Sequence, residues 1–358
     1  MQSYHYSPTD QQIDFSKRES AKFKDKTLTA MDLKASQNKR ILITGGLGFI
    51  GSNLVKRCLE IGMKVTIYDN LDPNSGGKLF NIDPLRKDVE LIIGDISNFD
   101  QLVQTVMGKD VIINCAASTS HPYSMREPWL NLDVNSRGVI NLLEAIKKVN
   151  PEVSFVHVGT TTQLGPLHYT PADEHHPEFP TDMYSANKTV AEKYVLLYAR
   201  AYGLKASVIR LPNTYGPRAA IHSPEFTFNN FFVGLALQQR AITVYKPGGQ
   251  LRNVLYVDDA VEALLEATQS EESDGETFFA VGNDHISVKE IAEKTCEMLG
   301  GSVQMIDWPK ERKAIEIGDA VYSNQKIKER LAWEPKVSFE DGLMLTGQYF
   351  DTCLNKYL

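Results

Sequence analysis

Residues 39–70 read KRILITGGLGFIGSNLVKRCLEIGMKVTIYDN, and this stretch decides the fold. "KRILITGG" is a short apolar run ending in glycines, as a strand covered on both faces does. In "SNLVKRCLEIG" the period changes. Leu54, Val55, Cys58 and Leu59 share a helical face, and Gly62 suits a C-terminal cap. "MKVTIYDN" returns to a strand. Between the first strand and the helix, Gly45, Gly48 and Gly51 stand at G-x-x-G-x-x-G spacing. Glycine there lets the backbone approach a pyrophosphate, and the helix N-terminus supplies amide donors. No Gly-Lys-Ser/Thr follows, so a nucleoside-triphosphate loop is a poor reading. Asp69 ends the second strand, 18 residues after Gly51. A carboxylate there bonds ribose hydroxyls and repels a 2′-phosphate, which argues for NAD over NADP. The plain alternative is a tight turn with a surface aspartate.

Outward from this unit the alternation continues. "VELIIGDI" (89–96), "DVIINCAAS" (110–118) and "VSFVHVGT" (153–160) read as strands, separated by helical segments such as "SRGVINLLEAIKKV" (136–149). "KASVIRLPNTYGP" (205–217) is a sixth strand running into a Pro/Gly loop. The expected fold is α/β: a Rossmann-type doubly wound parallel sheet over residues 39–215 and a smaller α+β C-terminal lobe over 216–358. Helical pieces are expected at about 226–239, 258–269, 287–299 and 340–350, with short strands such as "TFFAVG" (277–282), and the chain is expected to cross back between the lobes. Residues 1–38 are polar and lysine-rich and read as an arm outside the fold.

Composition narrows the class. The net charge of −7 offers no basic footprint for nucleic acid, so an anionic ligand must be held by local positive groups. The four cysteines, Cys58, Cys115, Cys296 and Cys353, form no CxxC pair, which argues against a zinc ribbon and for a reducing, cytoplasmic setting. The first residues show no apolar leader, and no stretch suits a membrane span. His175-His176 lie in the polar, proline-rich loop "TPADEHHPEFP" without a helical partner, so no metal site is expected. Trp129, Trp308 and Trp333 are expected to pack.

Tyr184 and Lys188 in "MYSANK" (183–188) stand at i and i+4 and share a helical face. An ammonium beside a phenol stabilises the phenolate, which is what a general base for an alcohol requires. A surface helix pair is the bland reading. At the end of the fifth strand, "HVGTTTQLG" (157–165) places three threonines at the sheet's carboxyl edge, where such folds bind ligands. One hydroxyl there could bond a substrate oxygen and share a proton with Tyr184; otherwise the threonines are β-branched filler. Asp95 and Ile96 end the third strand and could meet an adenine. Ala116, Ala117 and Ser118 end the fourth, where small residues let a cofactor lie flat.

Taken together, "TGGLGFIG", "YDN", "GDI", "CAAS", "DVNSRGVINLLEA", "YSANKTVAE", "IRLPNTYGPR", "RNVLYVDDAVEALL" and "FAVGNDHISVKEIA" resemble the extended short-chain dehydrogenase/reductase family, in its nucleotide-sugar epimerase/dehydratase branch. The resemblance runs from about residue 39 to the C-terminus. It implies a catalytic set of Thr160, Tyr184 and Lys188, with Thr160 matched by its place five residues before Gly165. It implies that Phe49, Ile50, Asn70 and Leu211 join the cofactor contacts and that Asn135 steadies the fold beside them. For the nucleotide-diphosphate sugar it implies Asn213 and Arg252, with Arg218, Asn230, Ser124, Thr161, Thr162, Tyr245 and Arg312 as further candidates. An ion pair with Asp258 or Asp259 is the competing role for Arg252. Thr161 and Thr162 stand where the 4,6-dehydratases carry an Asp-Glu pair, and Thr162 where the decarboxylases carry a glutamate. The implied activity is therefore epimerisation: NAD-dependent oxidation at C4 to a 4-keto sugar and return of hydride to the opposite face. A 4-dehydrogenase or 4-ketoreductase is the nearest alternative, and a non-catalytic NAD sensor the more distant one. A homodimer is the implied assembly.

Overall fold

A computed structural model describes residues 36–313 and 316–358, without the side chains of Glu311 and Arg312. All but the last three residues of the polar arm lie outside the described residues, as does the side chain of Arg312.

Six parallel strands come from the segments named above: β1 (Arg40–Thr44), β2 (Lys64–Asp69), β3 (Val89–Ile93), β4 (Val111–Asn114), β5 (Ser154–Thr160) and β6 (Ala206–Leu211). Their runs are apolar because helices cover both faces. Ile41, Leu42 and Ile43 of β1 are wholly buried, and Ile41 sits between Val65 and Val111 in register. On one face pack the helices Phe49–Glu60 and Val257–Ala267; on the other pack Phe99–Val106, Gly138–Val149 and Met183–Tyr202.

A seventh strand corrects one expectation. β7 (Asn213–Tyr215), β8 (Ala241–Tyr245) and β9 (Leu251–Tyr256) follow β6, and then β10 (Thr277–Phe279) returns to the main sheet. The sheet order is β10-β6-β5-β4-β1-β2-β3, all parallel. "TFFAVG" is therefore a main-sheet edge and not a second-lobe strand. The reason is burial: Phe278 and Phe279 are fully covered, one on each face. Helix Val257–Ala267 likewise belongs to the nucleotide-side layer, because Val261, Leu264 and Leu265 join its core.

The rest forms the smaller lobe. β7, β9 and β11 (His285–Ser287) make a three-stranded sheet, and β8 pairs with β12 (Ser302–Ile306). Residues 213–215, expected to be loop, are thus a strand, held parallel to β9. Helices Phe228–Leu237, Val288–Leu299 and Phe339–Asp351 close that lobe's core around Phe232, Ile291 and Phe350. Trp333 packs as expected and donates its indole N–H to the Asp259 carbonyl at 3.0 Å. Trp129 does not pack: it is 78% exposed, beside the exposed Leu130.

The strand order reverses at β1, which lies between β2 and β4. A crevice opens there at the carboxyl ends of the strands. A Cβ built on Gly45 would sit 2.7 Å from the Ala116 amide nitrogen, so the ends of β1 and β4 touch only because residue 45 is glycine, with φ +67°.

Candidate active site

One cavity of about 830 Å³ runs along this carboxyl edge and reaches the smaller lobe. Gly45, Gly48, Phe49, Ile50 and Gly51 form one wall, with Asp69, Asn70, Ile96, Ala116, Ala117 and Leu211 at the strand ends. Thr160, Thr162, Tyr184 and Lys188 stand deeper in, and Asn213, Asn230 and Arg252 come from the smaller lobe.

The glycine loop is shaped for an anion. Helix Phe49–Glu60 has Gly48 at its N-cap and no side chain capping it. The amides of its first turn are thus free to face a ligand, at the positive end of the helix dipole. A Cβ on Gly51 would come 2.2 Å from the Gly45 carbonyl oxygen, so the helix start can fold over the loop only with glycine there. Asp69 accepts from the Leu47 amide at 3.0 Å and the Leu71 amide at 2.8 Å. Burial raises its pKa while those two amides lower it. An acidic strand end beside an uncapped helix start, on the wall of a long cavity, fits NAD.

Other expected contacts are placed elsewhere. The Asp95 carboxylate accepts from Asn70 at 2.7 Å and the Ser97 amide at 2.8 Å, off the cavity wall. Ser118 and Asn135 are buried behind the wall, where Asn135 bonds both the amide and the carbonyl of Ser118 at 3.1 and 2.9 Å. Ser124 is buried and accepts from the Tyr184 amide at 3.0 Å, which fixes the start of the tyrosine helix instead of facing a ligand. Thr161 turns into the core and bonds Tyr322. Arg218 is committed to the Asn81 carbonyl at 2.9 Å and to Asn53 at 2.8 Å. Tyr245 packs on Trp308 with ring centroids 4.6 Å apart. Arg252 pairs with Glu316 at 2.7 Å, not with Asp258 or Asp259; Asp259 instead accepts from the Lys336 and Val337 amides.

The tyrosine helix begins at Asp182, whose carboxylate caps it by accepting from the Ser185 amide at 2.8 Å. The Tyr184 ring lies edge-on to His121, centroids 4.8 Å apart, and its hydroxyl bonds Thr160. Thr162 is more than filler: its hydroxyl lies 3.0 Å from that of Thr160 and 3.1 Å from that of Ser185.

Lys188 departs from expectation. Its ammonium points to the Val158 carbonyl at 2.5 Å and to Nε2 of the buried His157 at 3.0 Å. His157 in turn meets Asn114 at 3.0 Å, and Asn114 accepts from Thr44 at 2.5 Å. With Lys188 so engaged, burial and the Asp182 charge push the Tyr184 phenol well above its ordinary value, against the hydrogen bond from Thr160. The protein alone therefore keeps the phenol protonated. Cys115, beside Lys188, is partly buried on the cavity wall, and desolvation pushes its thiol up, so it is an inert small residue.

Burial brings Lys188 down to about 8 from 10.5. Folding thus disfavours its charged form. The cost is fully present below pH 8 and is relieved as pH rises from 8 towards 10.5; at neutral pH it is of order 3 kcal/mol. NAD-free wild-type protein should accordingly gain stability relative to Lys188→Met protein as pH rises from 8 towards 10.5. Urea unfolding of both proteins at several pH values reads the difference, and one that stays flat across that window would refute the claim.

The sequence profile of the GDP-mannose 4,6 dehydratase family matches residues 42–346. The chain belongs to that family. Its similarity to curated members spans several reactions. It is 31% identical to a putative UDP-glucose 4-epimerase of Methanocaldococcus jannaschii, over 85% of this chain and 95% of the relative. It is 31% identical to a UDP-N-acetyl-alpha-D-glucosaminuronate decarboxylase of Bacillus cytotoxicus, over 87% and 98%. Among solved structures, a Thermus thermophilus UDP-glucose 4-epimerase in complex with NAD superposes with a TM-score of 0.78 at 28% identity, covering 88% of this chain and 99% of that one. The chain is thus an extended short-chain dehydrogenase/reductase of the nucleotide-sugar epimerase, dehydratase and decarboxylase group, with NAD as its cofactor. No helix among the described residues is long and apolar enough to cross a membrane.

Several wall residues escaped the sequence reading. His121 opens the short helix His121–Arg126 and Glu225 sits in a turn, neither of them within a periodic stretch. Asp182 carried a signal, an N-cap aspartate three residues before Ser185. His157 looked like one more residue of a strand.

Proposed function

We propose that this family member is a nucleotide-sugar 4-epimerase. The supporting observation is the hydroxyl corner beside Tyr184. Thr160 and Thr162 bond each other there, and Thr161 is turned away. An elimination or a C5 enolisation needs a carboxylate free to move a proton. Every carboxylate on the described wall already has a partner. Asp69 takes two amides, Asp72 takes Ser75 and Asn74, and Asp182 takes Ser185 and His121. Glu225 takes Arg126 and Ser120, and Glu316 takes Arg252.

In this reading Tyr184 accepts the proton of the C4 hydroxyl, and Thr160, bonded to Tyr184, holds that hydroxyl in line. Bound NAD supplies the acceptor and then the donor of hydride, and its cationic ring adds the positive charge that the phenol lacks. Lys188, anchored on Val158 and His157, stands ready for the cofactor's ribose. Arg252 and Asn213 face the diphosphate end. The buried Asn230 amide oxygen has no partner among the described residues, which suits a ligand hydroxyl.

The test is proton NMR in heavy water, with purified protein, no added cofactor, and UDP-, GDP-, CDP-, ADP- and dTDP-sugars in turn. A C4 epimer free of carbon-bound deuterium is the expected result. Deuterium at C3 or C5 would mean that enolisation occurs and overturn the reading. Turnover that starts only when an external hydride acceptor is supplied would move the protein to the 4-dehydrogenases.

A further inference from the structure

Leu47 stands inside the glycine loop, and its backbone is held from both sides. Its amide donates to Asp69 at 3.0 Å. Its carbonyl accepts twice, from the Lys78 amide at 3.1 Å and from Asn81 Nδ2 at 2.8 Å. The stretch of cavity wall between Asp69 and Lys78, which includes Asp72, Ser75, Gly76 and Gly77, therefore closes back on one residue of the loop. Leu47 and Asn81 are buried, so solvent does not make good a bond lost there.

Lys78 and Asn81 are gripped in turn from the other end of the chain. Lys78 Nζ donates to the Lys356 carbonyl at 3.0 Å and lies over the Tyr357 ring, 4.9 Å from its centroid. The buried Tyr357 hydroxyl donates to Asn81 Oδ1 at 2.6 Å. A phenol has one proton to give, so at its 2.7 Å contact with the Tyr349 hydroxyl Tyr357 accepts. Its ring sits edge-on to Phe80 and Phe350, with centroids 5.8 and 5.0 Å away. The backbone carbonyl of Asn81 accepts from Arg218 Nε at 2.9 Å. Asn81 thus joins the glycine loop, the first loop of the smaller lobe and the turn Leu354–Lys356 with Tyr357 through three different atoms.

We propose that Asn81 and Tyr357 form a latch that holds the glycine loop in its cofactor-binding shape and sets how slowly NAD leaves. Leu47 precedes Gly48, the N-cap of the helix whose free amides face the ligand. A shift of Leu47 carries those amides with it. Neither Asn81 nor Tyr357 lines the cavity, so both are positioning residues that act through Leu47. A cofactor that is oxidant and then reductant in one turnover has to stay bound, and the latch supplies that retention from outside the strand–helix unit that binds it. The inference concerns NAD alone and stands whichever sugar reaction the site performs.

The measurement needs no sugar. Protein loaded with radiolabelled NAD is chased with excess unlabelled NAD, and the label retained is followed in time. Tyr357→Phe keeps the ring between Phe80 and Phe350 and removes the donor to Asn81. It should release NAD about tenfold faster than wild type. Asn81→Ala, which removes both bonds, should release it at least as fast. Tyr349→Phe is the control. It removes the other bond of Tyr357 and leaves the donation to Asn81 in place. In urea without NAD it should lose stability as Tyr357→Phe does, yet it should hold NAD for close to the wild-type time. Equal release from Tyr357→Phe and wild type would overturn the latch. So would equal acceleration in both tyrosine variants, which would mark a general loosening of that lobe.

Discussion

Tyr184→Phe should stop sugar turnover and leave NAD bound. Phenylalanine keeps the ring that lies edge-on to His121 and keeps the helix start fixed by Ser124 and Asp182. It removes only the hydroxyl that bonds Thr160. The cofactor wall is built from the glycine loop and strand ends, which this substitution does not touch. General acid–base groups contribute about 10²–10⁴-fold, so a loss of that size in kcat is expected, with the NAD dissociation constant little changed. Turnover with the sugar that the NMR screen identifies, measured beside cofactor binding by calorimetry, decides it. Undiminished turnover would remove Tyr184 from the acid–base role, and no turnover in the wild type would favour a sensor that uses the fold only to bind the cofactor.

Arg210→Leu should be the most damaging single change away from the cavity. Arg210 is 1% exposed at the carboxyl half of β6. Its Nε donates to Glu192 at 2.7 Å, and its second nitrogen bonds both Glu192 and Glu178. Gln163 adds a bond to Glu192 at 3.0 Å, and the guanidinium lies over Phe279 at 5.1 Å. This cluster ties the segment after β5 to the tyrosine helix and to β10. Removing the cation leaves the Glu192 carboxylate, itself 1% exposed, without its main partner. Such changes cost about 3–5 kcal/mol. Glu178 keeps Lys193 at 2.8 Å, so Glu192 carries most of the loss. The double variant Arg210→Leu, Glu192→Leu should be less destabilised than Arg210→Leu alone, because no buried charge is stranded. Urea midpoints of wild type, Arg210→Leu, Glu192→Leu and the double variant test this. A double variant that loses the sum of both single losses would refute the cluster's role.

The parts of the molecule legible in the sequence were those written in short range. The glycine loop, the acidic end of β2 and the Tyr184–Lys188 pair each lie within one strand–helix unit, where period and spacing speak directly. What spacing could not show was which distant group each side chain would meet. Lys188 was expected to lean on Tyr184, four residues away, but its amine is claimed by His157 and Val158 on a neighbouring strand. Arg218 was a reasonable phosphate ligand until Asn53 and Asn81, more than a hundred residues upstream, took its donors. Thr161 and Thr162 are adjacent and chemically alike, and only the turn after β5 decides that one faces the core and the other the cavity. His121 and Asp182 meet across 61 residues with no shared pattern. "TFFAVG" had the composition of any short buried strand, and its sheet was settled by which face Phe278 and Phe279 could cover.

That last strand bears on how the protein can be made. β10 is the outer neighbour of β6, yet residues 212–276, which include strands of the smaller lobe and helix Val257–Ala267, separate the two in the chain. On a ribosome, the first six strands emerge while the edge of β6 still has nothing beside it. Such an open edge invites pairing with another chain until its own neighbour arrives. A gene fragment ending near residue 215 would encode a sheet in that unfinished state. It should aggregate, while one extended through residue 281 gains the closing strand.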